Sequence, residues 1–127
     1  MQIAIDGVPA AKVKKTGVEW YVYHLVKNMN ELRPELDVAV YTHRPLDFKL
    51  KGNWRNIVVN WPLPGWKWFW SLHLWLSKPA VVFSPGDSLP PYIPNKSLQT
   101  KHDIGFHWMP EEYSRKRLRV LEREHKR

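Results

Sequence analysis

Apolar and polar positions along this chain switch repeatedly between a short strand period and a helical one. The run "QIAI" (2–5) ends at Asp6-Gly7, which predicts a strand followed by a turn. A lysine-rich loop, "VPAAKVKKTG", comes next. Val18, Tyr21, Val22, Leu25, Val26, Met29 and Leu32 then recur at helical spacing, with Thr16 as the predicted cap and Pro34 as the stop. "LDVAVYT" (36–42) and "NIVVNW" (56–61) read as a second and third strand, parted by a polar loop holding Pro45, Gly52 and Asn53. After the breaker Pro62-Leu63-Pro64-Gly65, "GWKWFWSLHLWLSK" (65–78) predicts a helix, and "AVVFSP" (80–85) a continuous apolar strand. The proline-rich "GDSLPPYIPN" leads into an expected fifth strand, "KSLQTKHD" (96–103). Residues 110–127 predict a last helix, with Pro110 near its first position and acidic residues in its first turn.

Strands alternating with helices imply right-handed crossovers and a parallel sheet. The expected fold is therefore α/β: a Rossmann-like three-layer domain with a mostly parallel sheet of about five strands. The 127 residues suit one domain. Apolar residues at 43% and charged residues at 25% exclude wholesale disorder. The absence of cysteine excludes disulfides, thiolate catalysis and Cys-ligated zinc, and it fits a reducing cytoplasm. A net charge of +8 favours phosphates, nucleic acid or anionic lipid faces without choosing among them. The opening "MQIAIDGVPA" lacks the basic and long apolar regions of a signal peptide, and none is expected. No uncharged apolar run reaches the roughly 20 residues of a membrane span.

Four constellations carry candidate chemistry. In "IDG…KKTGVEWY", Gly17 at a helix start permits close backbone approach, and the exposed amides suit a phosphate or carboxylate, with Lys14 and Lys15 adding charge. A plain N-cap explains the same residues, although their place after the first strand puts them on the ligand-binding rim of an open sheet. His102-Asp103 falls on the same rim. It reads equally as a hydroxyl- or phosphate-contacting pair and as a strand-ending turn in which Asp103 bonds its own backbone. His102 and His107 form no clear metal set, and no metal site is expected. The helix bearing Trp66, Trp68, Trp70 and Trp75 is apolar on nearly every side. It reads as a core or subunit-contact helix first and as a membrane-interface helix second, with Lys67 and Lys78 within reach of headgroups. The terminal "YSRKRLRVLEREHKR" has a narrow apolar stripe and mixed charges, the pattern of a salt-bridge-laced solvated helix. No nucleic-acid-binding module accompanies the tryptophans or this helix, so nucleic acid is disfavoured as a partner.

Taken together, "IAIDG", "TGVEWYVYHLVKNM", "AVVFSP", "SLP" and "TKHDIGFHWMPEEYS" resemble, in the same order, the amino-terminal domain of a GT-B-fold glycosyltransferase of family 4. The resemblance spans nearly all of 1–127. It implies transfer of a sugar from a nucleotide-diphosphate-sugar donor to an acceptor hydroxyl, with no cofactor bound by this chain alone. Carried over by position, Gly17, with Thr16 and Lys15 beside it, takes the donor-phosphate or acceptor-binding role. His102 takes the sugar-contacting role, with Asp103 orienting it. Glu19-Trp20 stand where family members often have Gly-Arg, a departure that adds bulk and negative charge. The family's nucleotide-binding carboxyl-terminal domain is not in these residues. The implied partner is therefore such a domain or subunit, and the 127 residues alone are expected to be inactive. Uncovered apolar surface adds a homo-oligomer or peripheral membrane contact as expected associations, at the cytoplasmic face. The alternative is a non-catalytic interaction or membrane-surface-binding module derived from such a domain.

Overall fold

A computed structural model describes residues 1–86, 89–93, 96–102 and 105–125. Five strands, β1 (Ile3–Asp6), β2 (Val38–Thr42), β3 (Trp54–Val58), β4 (Val81–Ser84) and β5 (Lys96–Gln99), pair in the order β3-β2-β1-β4-β5. Every pairing is parallel. The fold is the expected Rossmann-like three-layer α/β domain. β1 lies at the centre, with Ile3 opposite Val38 on one side and Val81 on the other. The chain fills one side of β1 first and then crosses to the other, so the strand order reverses beside β1.

Helix α1 (Gly17–Leu32) covers one face of the sheet, and α2 (Leu63–Ser77) covers the other. Alternation along the strands sorts side chains between these layers. Ile5, Val38 and Val40 join Val22 and Val26 of α1, whereas Ala4, Ala39, Tyr41 and Val82 join Trp66, Trp70 and Leu74 of α2. The small Ala4 and Ala39 leave room for the two indoles on that face. No helix links β2 to β3. Instead Leu46, Phe48 and Leu50, at alternate positions of the loop, pack against the α1 layer. Buried Asn30 holds that loop by exchanging two 2.9 Å hydrogen bonds with the Lys51 backbone.

The element boundaries differ from the sequence expectation for local reasons. β3 begins at Trp54 rather than residue 56, because that indole is buried and its N–H donates to the Arg33 carbonyl at 2.9 Å. α2 starts at Leu63, with Pro62 at the N-cap and Pro64 inside the first turn, where a missing backbone N–H costs nothing. β5 stops at Gln99, and the Thr100 amide makes the last bond to Ser84 at 3.0 Å, leaving His102 beyond the strand. The expected single helix over 110–127 is two 3₁₀ turns (Gly105–His107 and Pro110–Glu112) followed by α3 (Arg115–His125). Tyr113 is extended, and the Ser114 hydroxyl accepts from the Arg117 amide at 3.3 Å, so serine rather than proline opens α3. Among the described residues no helix is long and apolar enough to cross a membrane.

Trp70 is fully buried between Tyr41 and Trp66, and its indole N–H has no acceptor among the described residues. Trp70→Ala is expected to cost about 3–5 kcal/mol in urea unfolding. Trp70→Phe keeps a ring and deletes the unpaired donor, so it should cost only about 1–2 kcal/mol. Equal losses for the two variants would contradict this account of the α2 layer.

Candidate functional site: a cleft on the carboxyl rim

Parallel strands send both following helices off one edge of the sheet, so the first turns of α1 and α2 meet at the carboxyl rim. Between them, at the reversal of strand order, lies a cleft of about 330 Å³. Asp6 and Val8 line it from the end of β1, Thr16 and Glu19 from α1, Trp66 and Lys67 from α2, and Gly86 from beyond β4, with Lys12 at its side. The volume is in the range of small-ligand sites. Backbones crowd here as well. A Cβ on Gly7 would lie 2.4 Å from Val40 Cγ1, so only glycine lets β1 turn away so tightly beside β2.

Asp6 ends β1 on the α2 side of the sheet and is buried. Its carboxylate accepts the Val8 amide at 3.0 Å. Burial raises its pKa to about 6, opposed in part by that hydrogen bond and by the Lys67 charge. A carboxyl poised near neutrality in a cleft is suited to accept a hydrogen bond or a proton from a ligand hydroxyl. Glu19 behaves oppositely. The Lys12 ammonium, donating at 2.7 Å, holds its pKa down to about 2, helped by the Thr16 hydroxyl and by the Thr16 amide at 3.0 Å. The negative charge at position 19 is thereby engaged by the helix cap and Lys12, and Trp20 turns outward to stack on His24.

Two lysines and two carboxylates nearly balance in this cleft, so it is no bare anion hole. It offers donors and acceptors together, the mixture that a polyhydroxylated ligand requires. Trp66 also lines the cleft, but its indole N–H is itself buried and has no acceptor among the described residues, so it is not a donor that the cleft presents.

The sequence-predicted residues divide. Thr16 lines the cleft, and Gly17 opens α1 with nothing within 4 Å of where a Cβ would sit. Lys15 turns away. Its ammonium donates to the Lys12 carbonyl at 2.7 Å, lies 3.8 Å from Asp47, and sits over the rings of Trp20 and Tyr23. His102 comes back across the rim. Its Nε2–H donates to the Pro85 carbonyl at 2.6 Å, and its ring meets the edge of Tyr21 on α1 at 4.8 Å. It is thus tied to the residue before the cleft-lining Gly86, but it does not itself line the cleft. Asp103 lies outside the described residues. Trp66 and Trp70 are core, which removes them from the expected contact face, while Trp68 and Trp75 are exposed.

In the sequence Asp6 reads as a turn residue, Glu19 stands out only as a departure in charge, and Lys12 and Lys67 carry no signal for the cleft. The legible signal is an aspartate closing a first strand that is otherwise apolar, a position that carries the carboxylate into a buried setting.

Asp6 generates a pH signature. Its folded pKa lies above the unfolded value, so the folded state holds the proton more tightly. Stability from this group is full below about pH 4 and is lost as pH rises through about 6. Asp6→Asn should be more stable than the parent at pH 7 by on the order of 2–3 kcal/mol, with the difference vanishing near pH 4. Urea midpoints of the two proteins across pH 4–7 check this, and a constant difference would refute it. Compared with known proteins, the chain matches no family model, no curated protein and no solved structure, so the reading of this cleft rests on its own geometry.

Proposed function

We propose that this chain is the acceptor-side unit of a sugar-transferring enzyme. Its rim cleft would hold a sugar hydroxyl against the diphosphate-linked donor sugar, which a second, nucleotide-binding unit would present. The observation that carries the reading is the meeting of His102 with the first turns of α1. His102 and Tyr21 belong to segments far apart in the chain, and their contact ties the residue before cleft-lining Gly86 to α1, whose Thr16 and Glu19 line the same cleft.

In the transfer, the bond from the sugar's anomeric carbon to the diphosphate breaks. A bond to the acceptor oxygen forms, the acceptor proton departs, and the nucleoside diphosphate leaves with the electron pair. The α1 amino terminus, with Thr16 and Gly17, is placed to stabilise charge on the departing diphosphate. His102, oriented by its bond to Pro85, positions the sugar. Asp6 is the group in the cleft best matched to receive a hydroxyl hydrogen near neutral pH. Lys15 has no part in this scheme, because its ammonium is engaged elsewhere, and Lys12 and Lys67 supply the cleft's positive charge instead.

Titration of the ¹⁵N-labelled chain with UDP-glucose, GDP-mannose and the corresponding methyl glycosides tests the proposal. At least one of these ligands should shift the amides of Val8, Thr16, Gly17 and Gly86. His102→Ala should weaken that binding roughly tenfold, a loss of about 1.4 kcal/mol. Gly17→Ala meets no steric obstacle among the described residues, so weakened binding in that variant would report ligand approach rather than misfolding. If none of the four ligands moved these amides at millimolar concentration, the reading would fall.

A further inference from the structure

Helix α2 has two faces of opposite fate. Trp66, Trp70 and Leu74 are buried against the sheet, whereas Trp68, Leu72, Trp75 and Leu76 are 69%, 50%, 53% and 65% exposed. At 100° per residue these four fall within an arc of about 100° on the outer side of the helix. Trp61, itself exposed, folds back over Gly65 and stacks on Phe69 at 3.9 Å between ring centroids. A Cβ at Gly65 would come within 2.4 Å of the Trp61 indole nitrogen, so glycine is what seats this ring on the helix. The Tyr92 amide donates to Ser71 of α2 at 3.2 Å and brings a further exposed ring alongside. The result is one continuous outward aromatic and aliphatic surface, larger than single scattered apolar residues would make.

We infer that this face docks on the interfacial layer of an anionic membrane, with α2 lying parallel to the surface. Three observations select that occupant. The face is built from tryptophan and leucine, and indoles favour the depth of lipid headgroups, where an apolar ring and a wet N–H are both satisfied. No aspartate or glutamate occurs anywhere in α2, and Lys78 at its carboxyl end shares a surface depression with Lys96. The chain carries a net +8, which anionic lipid attracts and which opposes apposition of a second copy. Lys67 is not among the headgroup contacts, since it lines the rim cleft on another side of the helix. This inference stands apart from the ligand assigned to that cleft.

Co-sedimentation of the chain with sucrose-loaded vesicles tests it. Vesicles of phosphatidylcholine and phosphatidylglycerol at 7:3 should bind the protein, and pure phosphatidylcholine should bind it more weakly. The double variant Trp68→Ser/Trp75→Ser should lose at least tenfold in partitioning onto the 7:3 vesicles. Its urea midpoint should be unchanged, because both side chains are exposed. Leu32→Ser, at an exposed position on the opposite helical layer, should bind like the parent. Binding untouched by the double variant would mean that net charge alone drives association, and the inference would be overturned. Absence of sedimentation with 7:3 vesicles would overturn it too, as would a dimer in light scattering that the same double variant dissolves.

Discussion

Everything else in this domain depends on the double-sided parallel pairing of β1. A strand bonded in parallel on both edges cannot be reached by tight hairpins, so each neighbour must be fed by a crossover over one face of the sheet. Filling β2 and β3 on one side and β4 and β5 on the other puts α1 and α2 on opposite faces. It also forces both helix starts onto the same rim. The cleft follows from that constraint: it is the gap left where the loops after β1 and β4 diverge. Asp6, the last residue of the central strand, is carried into it with no independent means of reaching water.

The two helical layers meet the sheet in different ways. α1 presents small β-branched residues, and the loop over 43–53 supplies its remaining cover. α2 presents two indoles, which the alanines of β1 and β2 accommodate. Close packing of such large rings tolerates indole N–H groups without acceptors at Trp66 and Trp70. Both donors are sealed from solvent, and at each the unpaired N–H is a packing cost offset by ring burial.

Charge in the site follows the same spatial logic. Glu19 and Asp6 are both carboxylates of the rim, yet their proton affinities move in opposite directions. Glu19 sits at a helix start beside Lys12 and is held ionised, whereas Asp6 is stripped of water with only one backbone donor and is held nearer its neutral form. Glu19 thus serves the architecture of α1, whereas Asp6 lines the cleft. The lysine that the sequence placed nearest this site, Lys15, is drawn off by the Trp20 and Tyr23 rings and by Asp47.

Much of the fold was legible along the chain, because strand and helix periods are local properties and the β-α-β-β-α-β-β-α order leaves few topologies open. The capping segment Thr16-Gly17, the five strands and the rim position of His102 could all be read that way. Boundaries were less legible wherever a tertiary contact or a capping residue set them. Trp54 extended β3 to bury its ring, and Ser114 displaced Pro110 as the start of the last helix. What only the tertiary structure decided was which of several chemically equivalent residues face which surroundings. A helix apolar on all sides has no periodicity to say that Trp66 and Trp70 go inward and Trp68 and Trp75 outward. A lysine-rich loop likewise does not reveal that Lys12, not Lys15, reaches the cleft. Such choices depend on neighbours brought from distant parts of the chain, and a one-dimensional pattern does not contain them.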